Sequence, residues 1–411
     1  MLLLGHKLTE LERNRRSLIW NLGKVSKKVI ISFLVCQYWF IFVIIFKIKR
    51  GHKMSEAIKT ALYDNHEKHG GRIVDFAGWA LPVQYDSIIK EHLAVRENSG
   101  VFDCSHMGQF FVSGPDASQF VNYMISNNLD KIEAGRGLYT GLLYENGTFV
   151  DDIIVYKKAE DNIFMVVNAA NVDKDFAWFT EKLKESNFDA QIVNRSDEYS
   201  LLAVQGPEAP EKLNQLFPGL YDKLKTFGHC DIKFAGESGL MCRTGYTGEA
   251  GVELIVKNAV AGELFDALIE IGVKACGLGS RDSLRLEKGF SLYGHEINDQ
   301  TNALEAGLGW VCDLNKENFI GKEALQKVKA EGTSRKLIGF KANVRPIPRD
   351  GDTLLDTEGN EIGFVTSGTM SKALDCGIGL AYISKAYSGD TVQVQTRRKL
   401  MEVEICGRTF V

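Results

Sequence analysis

The sequence predicts an α+β chain of two related α/β parts followed by an all-β module, and three observations predict it. A unit of strand, Gly-Pro turn, acid and helix occurs twice, as VSGPDA at Val112 to Ala117 and VQGPEA at Val204 to Ala209. Two copies so far apart indicate related halves, since a solenoid needs a shorter period and more copies. Between them an Asn-Gly pair at 146 and 147 joins two apolar runs, the strongest short hairpin signal. From residue 335 onward, periodic helices give way to short β runs (KLIGFKA, EIGFVTSG, DCGIGLAYI, DTVQVQTRR) divided by Gly, Asp and Ser turns, the pattern of a barrel or sandwich. At 411 residues the chain exceeds a single core, so two or three domains are expected.

Composition narrows the function classes. The eight cysteines form no C-x-x-C pair, which supports neither a zinc ribbon nor a thioredoxin-type site and fits free thiols in a reducing compartment. The net charge of -4 hides an asymmetry: residues 1–53 carry 11 Lys+Arg against 2 Asp+Glu, and the remainder is strongly acidic. An acidic body argues against nucleic acid as its partner. Within the basic head, Val29–Phe46 is apolar and lysine-flanked. As a helix it spans about 27 Å, close to a hydrocarbon core of about 30 Å, so a single-pass membrane anchor is physically possible. The competing reading starts translation at Met54, leaving a cytoplasmic protein without the head.

Taken in order, residues 55–71 read as a helix capped by Ser55 and stopped by Gly70-Gly71, with Ile58 and Leu62 on one side. His66 and His69 lie one turn apart but lack a third ligand, so they read as surface or satisfied histidines. FAGWALPVQY reads as a loop before a further helix. In VFDCSHMGQFFVSGP, Cys104 or Ser105 beside His106 suggests a nucleophile pair, yet neighbours on extended chain point apart and are poorly placed to act on each other. The predicted hairpin runs from Leu138–Tyr144 to Thr148–Tyr156. Its second strand alternates Phe149, Asp151, Ile153 and Val155 with Val150, Asp152, Ile154 and Tyr156. Both faces are apolar except for one aspartate each, and a carboxylate against a hydrophobic wall needs a partner or ligand. Alternation alone does not choose between Asp151 and Asp152. A strand, a turn with Asn168 and Asn171, and a helix carrying Val172, Phe176, Phe179 and Leu183 follow.

RTGYTGEAGVEL, Arg243 to Leu254, presents Glu249 on a turn whose glycines at 245, 248 and 251 permit φ > 0 and close approach to a ligand. A helix with Val260, Leu264, Leu268 and Ile271 on one side comes next. It leads to CGLGSRDSLRLEKGF, where Arg281, Arg285 and Lys288 share a face at i, i+4 and i+7 and read as an anion subsite.

Together these motifs, with LYDNHEKHGGRIVDFAGWALPVQY, NGTFVDDIIVY, SLYGHEI and VTSGTMSKAL, resemble the T-protein of the glycine cleavage system, a folate-dependent aminomethyltransferase. The resemblance runs from about Met54 to the C-terminus, which implies that residues 1–53 are an extension, 54–330 two interwoven α/β parts and 335–411 a β-barrel. It implies a three-part cloverleaf around a central tetrahydrofolate cavity. In it Glu249 holds the pterin, Arg281 contacts folate, and Tyr139, Asn168, Tyr246 and Trp310 wall the cavity. It further implies that the second aspartate, Asp152, acts as a buried ionised catalytic acid, that the donor is an aminomethyl group on a lipoylated H-protein carrier, and that no metal takes part.

Overall fold

The computed structural model describes residues 57–343 and 345–411. The basic head, the apolar run Val29–Phe46, Met54 and Ser55 lie outside the described residues. Among the described residues no helix is long and apolar enough to cross a membrane.

β1 (Ile58–Lys59), β2 (Arg72–Phe76) and β3 (Trp79–Gln84) form a small sheet. The predicted long first helix shrinks to α1 (Tyr63–Lys68), because Thr60 turns its hydroxyl onto Asp103 at 2.7 Å instead of entering a helix. FAGW is a hairpin rather than a loop. Ala77 and Gly78 both take positive φ, 51° and 87°, as a two-residue turn of the right twist requires. α2 (Ile88–Glu97) follows.

The two related parts are visible as two sheets that share a four-strand core of one topology. The first comprises β5 (Gly108–Ser113), β6 (Arg136–Leu143), β7 (Phe149–Ala159), β8 (Asn162–Val167) and β9 (Gln191–Asn194), in the order β6-β7-β8-β5-β9. It carries α3 (Ala117–Met124) and α4 (Val172–Glu185). The second takes β4 (Gly100–Asp103) from earlier in the chain. To it are added β10 (Tyr199–Gln205), β11 (His229–Phe234), β12 (Glu237–Cys242), β13 (Gly251–Lys257) and β14 (Lys274–Cys276), ordered β11-β12-β13-β10-β4-β14. Its helices are α5 (Ala209–Leu216), α6 (Asn258–Glu270) and α7 (Leu278–Glu287). In each part a strand turns at a left-handed glycine into a helix, and a hairpin then leads to a strand pairing with the first. Those glycines are Gly114 and Gly206, with φ of 122° and 132°, where a Cβ would run into the carbonyl groups of Asp189 and Asn98.

Strand alternation divides the interior into layers. Val252, Leu254 and Val256 of β13 face the core under α5 and α6, while Ile255 faces a central core with Phe102, Tyr156, Phe164, Leu201 and Cys242. On β7, Ile153 and Val155 pack under α3 and α4 with Phe110, Phe120 and Phe179. Val150 joins them, against simple alternation, because a bulge pairs Leu142 with Asp151 but Leu143 with Phe149. The inner faces of the two sheets thus meet across one apolar layer.

After α8 (Lys322–Glu331), six strands close a barrel: β15 (Arg335–Ala342), β16 (Thr353–Leu355), β17 (Glu361–Ser371), β18 (Cys376–Ser384), β19 (Thr391–Gln395) and β20 (Leu400–Cys406). Its hydroxyls reach into the body. Thr366 and Ser367 donate to Glu296 at 2.7 and 2.6 Å, and Ser371 donates to Glu287 at 2.7 Å.

Candidate active site

The chemistry collects at the bulged start of β7. Asp151 is fully buried and accepts from Asn168 N at 3.0 Å, Asn168 Nδ2 at 2.8 Å and Asn171 Nδ2 at 2.5 Å. Asp152 is only partly buried and turns the other way, toward the inner face. It accepts from Tyr139 Oη at 2.8 Å and from Asn168 Nδ2 at 2.8 Å. One asparagine therefore bridges both acids. Burial, then the charge of Asp151, pushes the Asp152 carboxyl well above the usual carboxylate range, against the pull of its two donors. Burial and the Asp152 charge likewise hold Tyr139 as the neutral phenol that can donate. Trp310, 66% exposed, lies against Tyr139 with ring centroids 5.7 Å apart.

Across the layer, β13 presents Glu253 on the same inward face as Ile255. Its carboxylate is buried and accepts from Thr244 Oγ1 at 2.5 Å; Thr244 in turn meets Tyr156 Oη at 2.7 Å. Burial raises Glu253, with the field of Arg281 opposing. Arg281, on α7, lies over the Tyr246 ring at 4.7 Å, and its Nη1 is buried without a partner among the described residues. Tyr246 feels both Asp152 and Arg281 and stacks on Phe290. His106 lies edge-on to Phe76, with a buried Nδ1 that also lacks a partner among the described residues. Burial holds the imidazole neutral, pulled down to about 4. Two inward carboxylates, a guanidinium nitrogen without a partner among the described residues and flanking aromatic rings are groups suited to a flat ligand bearing both N–H donors and an anion.

A family model described as the GCVT N-terminal domain matches residues 62–316, and one described as the glycine cleavage T-protein C-terminal barrel domain matches 335–411. The chain belongs to the glycine cleavage T-protein family of aminomethyltransferases. It is 44% identical over 359 residues to the aminomethyltransferase of Halothermothrix orenii, covering 86% of this chain and 99% of that protein. Against the aminomethyltransferase of Chloroherpeton thalassium, identity is 45% over 360 residues, covering 86% and 98%. The crystal structure of glycine cleavage system aminomethyltransferase T from Bartonella henselae superposes with a TM-score of 0.81 at 33% identity, over 86% of this chain and 98% of that one.

Within this T-protein fold, Asp152, Asn168, Tyr139 and Trp310 are brought into one contact chain, and Arg281 and Tyr246 into another beside it. Glu249 stands apart from both. Its Oε1 accepts from Arg96 Nη1 at 2.9 Å, and the same guanidinium bonds Thr247 O, Leu284 O and Glu287. The glycines of that loop approach the protein itself: a Cβ at 245, 248 or 251 would strike Gln205, Lys288 or Val204 O. Sequence reading passed over Glu253, although its place two residues into a strand with outward Val252 and Leu254 was the available signal. The basic stripe is divided. Arg285 is buried and spent on Asp282, Glu296, Phe290 O and Ser367, so it anchors the barrel, and of the stripe Arg281 keeps an Nη1 with no partner among the described residues. His66 and His69 are satisfied by Asp103 and Asp266. Among the described residues no group of His, Cys, Asp and Glu is placed to hold a metal ion.

Proposed function

We propose that the chain transfers the methylene carbon of an aminomethyl group, carried on the lipoyl arm of H-protein, to tetrahydrofolate. The products are 5,10-methylenetetrahydrofolate, ammonia and the dihydrolipoyl carrier. The observation that carries this reading is the pair Asp152 and Glu253 on facing sheets, with the unpartnered Arg281 Nη1 beside the second acid. Tetrahydrofolate fits these groups. It supplies the nucleophilic nitrogen, while its pterin offers adjacent N–H donors to one carboxylate and its tail offers an anion to an arginine.

On this reading Glu253, rather than the Arg96-paired Glu249, takes the pterin, and Arg281 takes anionic or carbonyl oxygen of the same molecule. Tyr139, Tyr246 and Trp310 supply apolar and aromatic wall. Asp152 acts electrostatically. Its carboxyl is pushed up in the free protein, so arrival of a cationic aminomethyl group favours the ionised form. Tyr139 and Asn168 then hold the carboxylate where positive charge grows as ammonia departs, a preorganised arrangement that costs no reorganisation during the step. No protein nucleophile is needed, and burial keeps the Cys104 thiol protonated, pushed up to about 12.

The test is ammonia release by the purified chain from an aminomethyl-loaded lipoyl carrier and tetrahydrofolate. Asp152→Asn is expected to lower turnover by about a thousandfold while tetrahydrofolate still binds. Wild-type-like turnover in that variant removes Asp152 from the chemistry, and tetrahydrofolate binding without carrier-dependent ammonia release removes the transferase reading.

A further inference from the structure

The first acid of the DD pair has no part in the chemistry above, yet it is the better held of the two. α4 brings a third carboxylate to it. Asp175 is fully buried, and neither of its oxygens has a donor among the described residues. Its carboxyl lies in hydrogen-bonding contact with that of Asp151. Two carboxylates touching out of water cannot both be ionised, so one proton lies between them. The donors around the pair decide where it rests. Asp151 receives three N–H groups, from Asn168 N, Asn168 Nδ2 and Asn171 Nδ2, whereas Asp175 receives none. The ionised member is therefore Asp151, and Asp175 is the acid that donates to it. Burial and the Asp151 charge both push Asp175 well up.

The consequence passes along Asn168. Its Nδ2 donates to Asp151 Oδ1 at 2.8 Å and to Asp152 Oδ1 at 2.8 Å, so the ionised Asp151 fixes the amide that fixes the reacting carboxylate. We propose that Asp175 is a positioning residue for the transfer: it carries the proton that keeps the Asp151–Asp175 pair singly charged, and Asp151 then orients Asn168 onto Asp152. The segment from Asn168 to Asp175 supplies the three residues that surround Asp151, namely Asn168, Asn171 and Asp175. The inference rests on the assignment of Asp152 made above.

Charged and titratable groups facing the pair come from every neighbouring element. They are Asp152 on β7, Lys174 on α4 with its ammonium on Tyr293 Oη at 2.7 Å, and Tyr144, Tyr293 and Asp299 from the flanking loops. Lys174 opposes the negative charge, Asp152 and Asp299 are acidic neighbours, and Tyr144 and Tyr293 stay neutral phenols, pushed up by burial and by the acids. When the shared proton leaves at alkaline pH, the pair becomes doubly charged, its contact turns repulsive and Asn168 loses its fixed orientation. Asparagine at 175 keeps an N–H donor toward Asp151 and has no proton to lose.

The experiment measures kcat and the KM for tetrahydrofolate from pH 6 to pH 10 for the full chain and for Asp175→Ala, Asp175→Asn and Asp152→Asn. Asp175→Ala is expected to lower kcat about ten- to a hundredfold, as misplacement of a reacting group does, with KM changed by less than about threefold. Asp175→Asn is expected to recover kcat to within about threefold of wild type at neutral pH and to lack the alkaline fall of the wild-type profile. Wild-type kcat and pH profile in Asp175→Ala overturn the proposal, as does an Asp175→Asn enzyme with the wild-type alkaline fall or with the slow turnover of the alanine variant. If Asp175→Ala fails to fold, the near-isosteric asparagine variant alone decides through its pH profile. An Asp152→Asn enzyme of normal turnover defeats the underlying reading, whereas an inactive one beside a normal Asp175→Ala defeats only the positioning role.

Discussion

Replacing Glu253 by glutamine turns one acceptor oxygen of the inward carboxylate into an N–H2 donor and removes its charge. Thr244 Oγ1, 2.5 Å from the carboxylate, can still donate to the remaining oxygen, so the β13 backbone and the central layer are expected to stay in place. What changes is the face offered to a ligand that brings two N–H groups: one meets an acceptor as before, and the other meets a donor. A hydrogen bond to a charged group contributes about 1.5 to 3 kcal/mol. Since 1.4 kcal/mol is tenfold, the dissociation constant of tetrahydrofolate should rise about ten- to a hundredfold. Glu249→Gln is the paired control. It weakens a partly exposed ion pair with Arg96, worth less than about 1 kcal/mol after solvent screening, and should leave folate affinity nearly unchanged. Anaerobic calorimetric titration of both variants with tetrahydrofolate, with near-UV circular dichroism to verify the fold, gives the comparison. If Glu249→Gln loses the ligand and Glu253→Gln keeps it, the argument from strand faces is refuted and the glycine-rich turn is the binding element.

Two further outcomes follow from the buried charges. Arg285→Met leaves the fully buried Glu296 without its cation and should destabilise the chain by about 3 to 5 kcal/mol, read as a shift in the urea midpoint. His106 carries a pH signature. Its folded pKa, about 4, lies below the ordinary 6.5, so between those values the unfolded chain binds the extra proton and stability falls as pH falls. From pH 7 to pH 5 the wild type should lose about 2 kcal/mol more than His106→Gln, and equal losses in urea titrations would show that the imidazole is not held neutral.

How much of this was legible in the sequence depended on whether a residue's fate was local. The Asn146-Gly147 hairpin and the paired Gly-Pro units were readable because turn chemistry is written in adjacent residues, and the repeat carried the topology of both sheets with it. The FAGW hairpin escaped because alanine, not asparagine, takes the left-handed position at 77. Alternation along β7 identified two acids but not their division of labour, since the bulge at Val150 resets which side chains share a face. Partners distant in sequence were out of reach altogether. Nothing near Glu249 announces Arg96, and nothing near Arg285 announces Glu296 and Ser367 as the groups that consume its charge. The i, i+4, i+7 stripe was real as a pattern, but Arg285 within it is covered by the barrel, because a helix face is exposed only if no other element covers it.

The hydroxyls of β17 give the C-terminal barrel a meaning that its boundary at residue 335 conceals. Glu287 and Glu296 are sealed from water, and each relies on a barrel side chain for a hydrogen bond, Ser371 for the first and Thr366 with Ser367 for the second. A chain cut before the barrel would leave two acids with incomplete partners beneath an uncovered α7, the helix that carries Arg281. In a chimera joining the body of one relative to the barrel of another, these three hydroxyls would have to travel with the two glutamates. The unit of inheritance is thus the joint between the modules, and the ligand-facing helix is only as well placed as that joint.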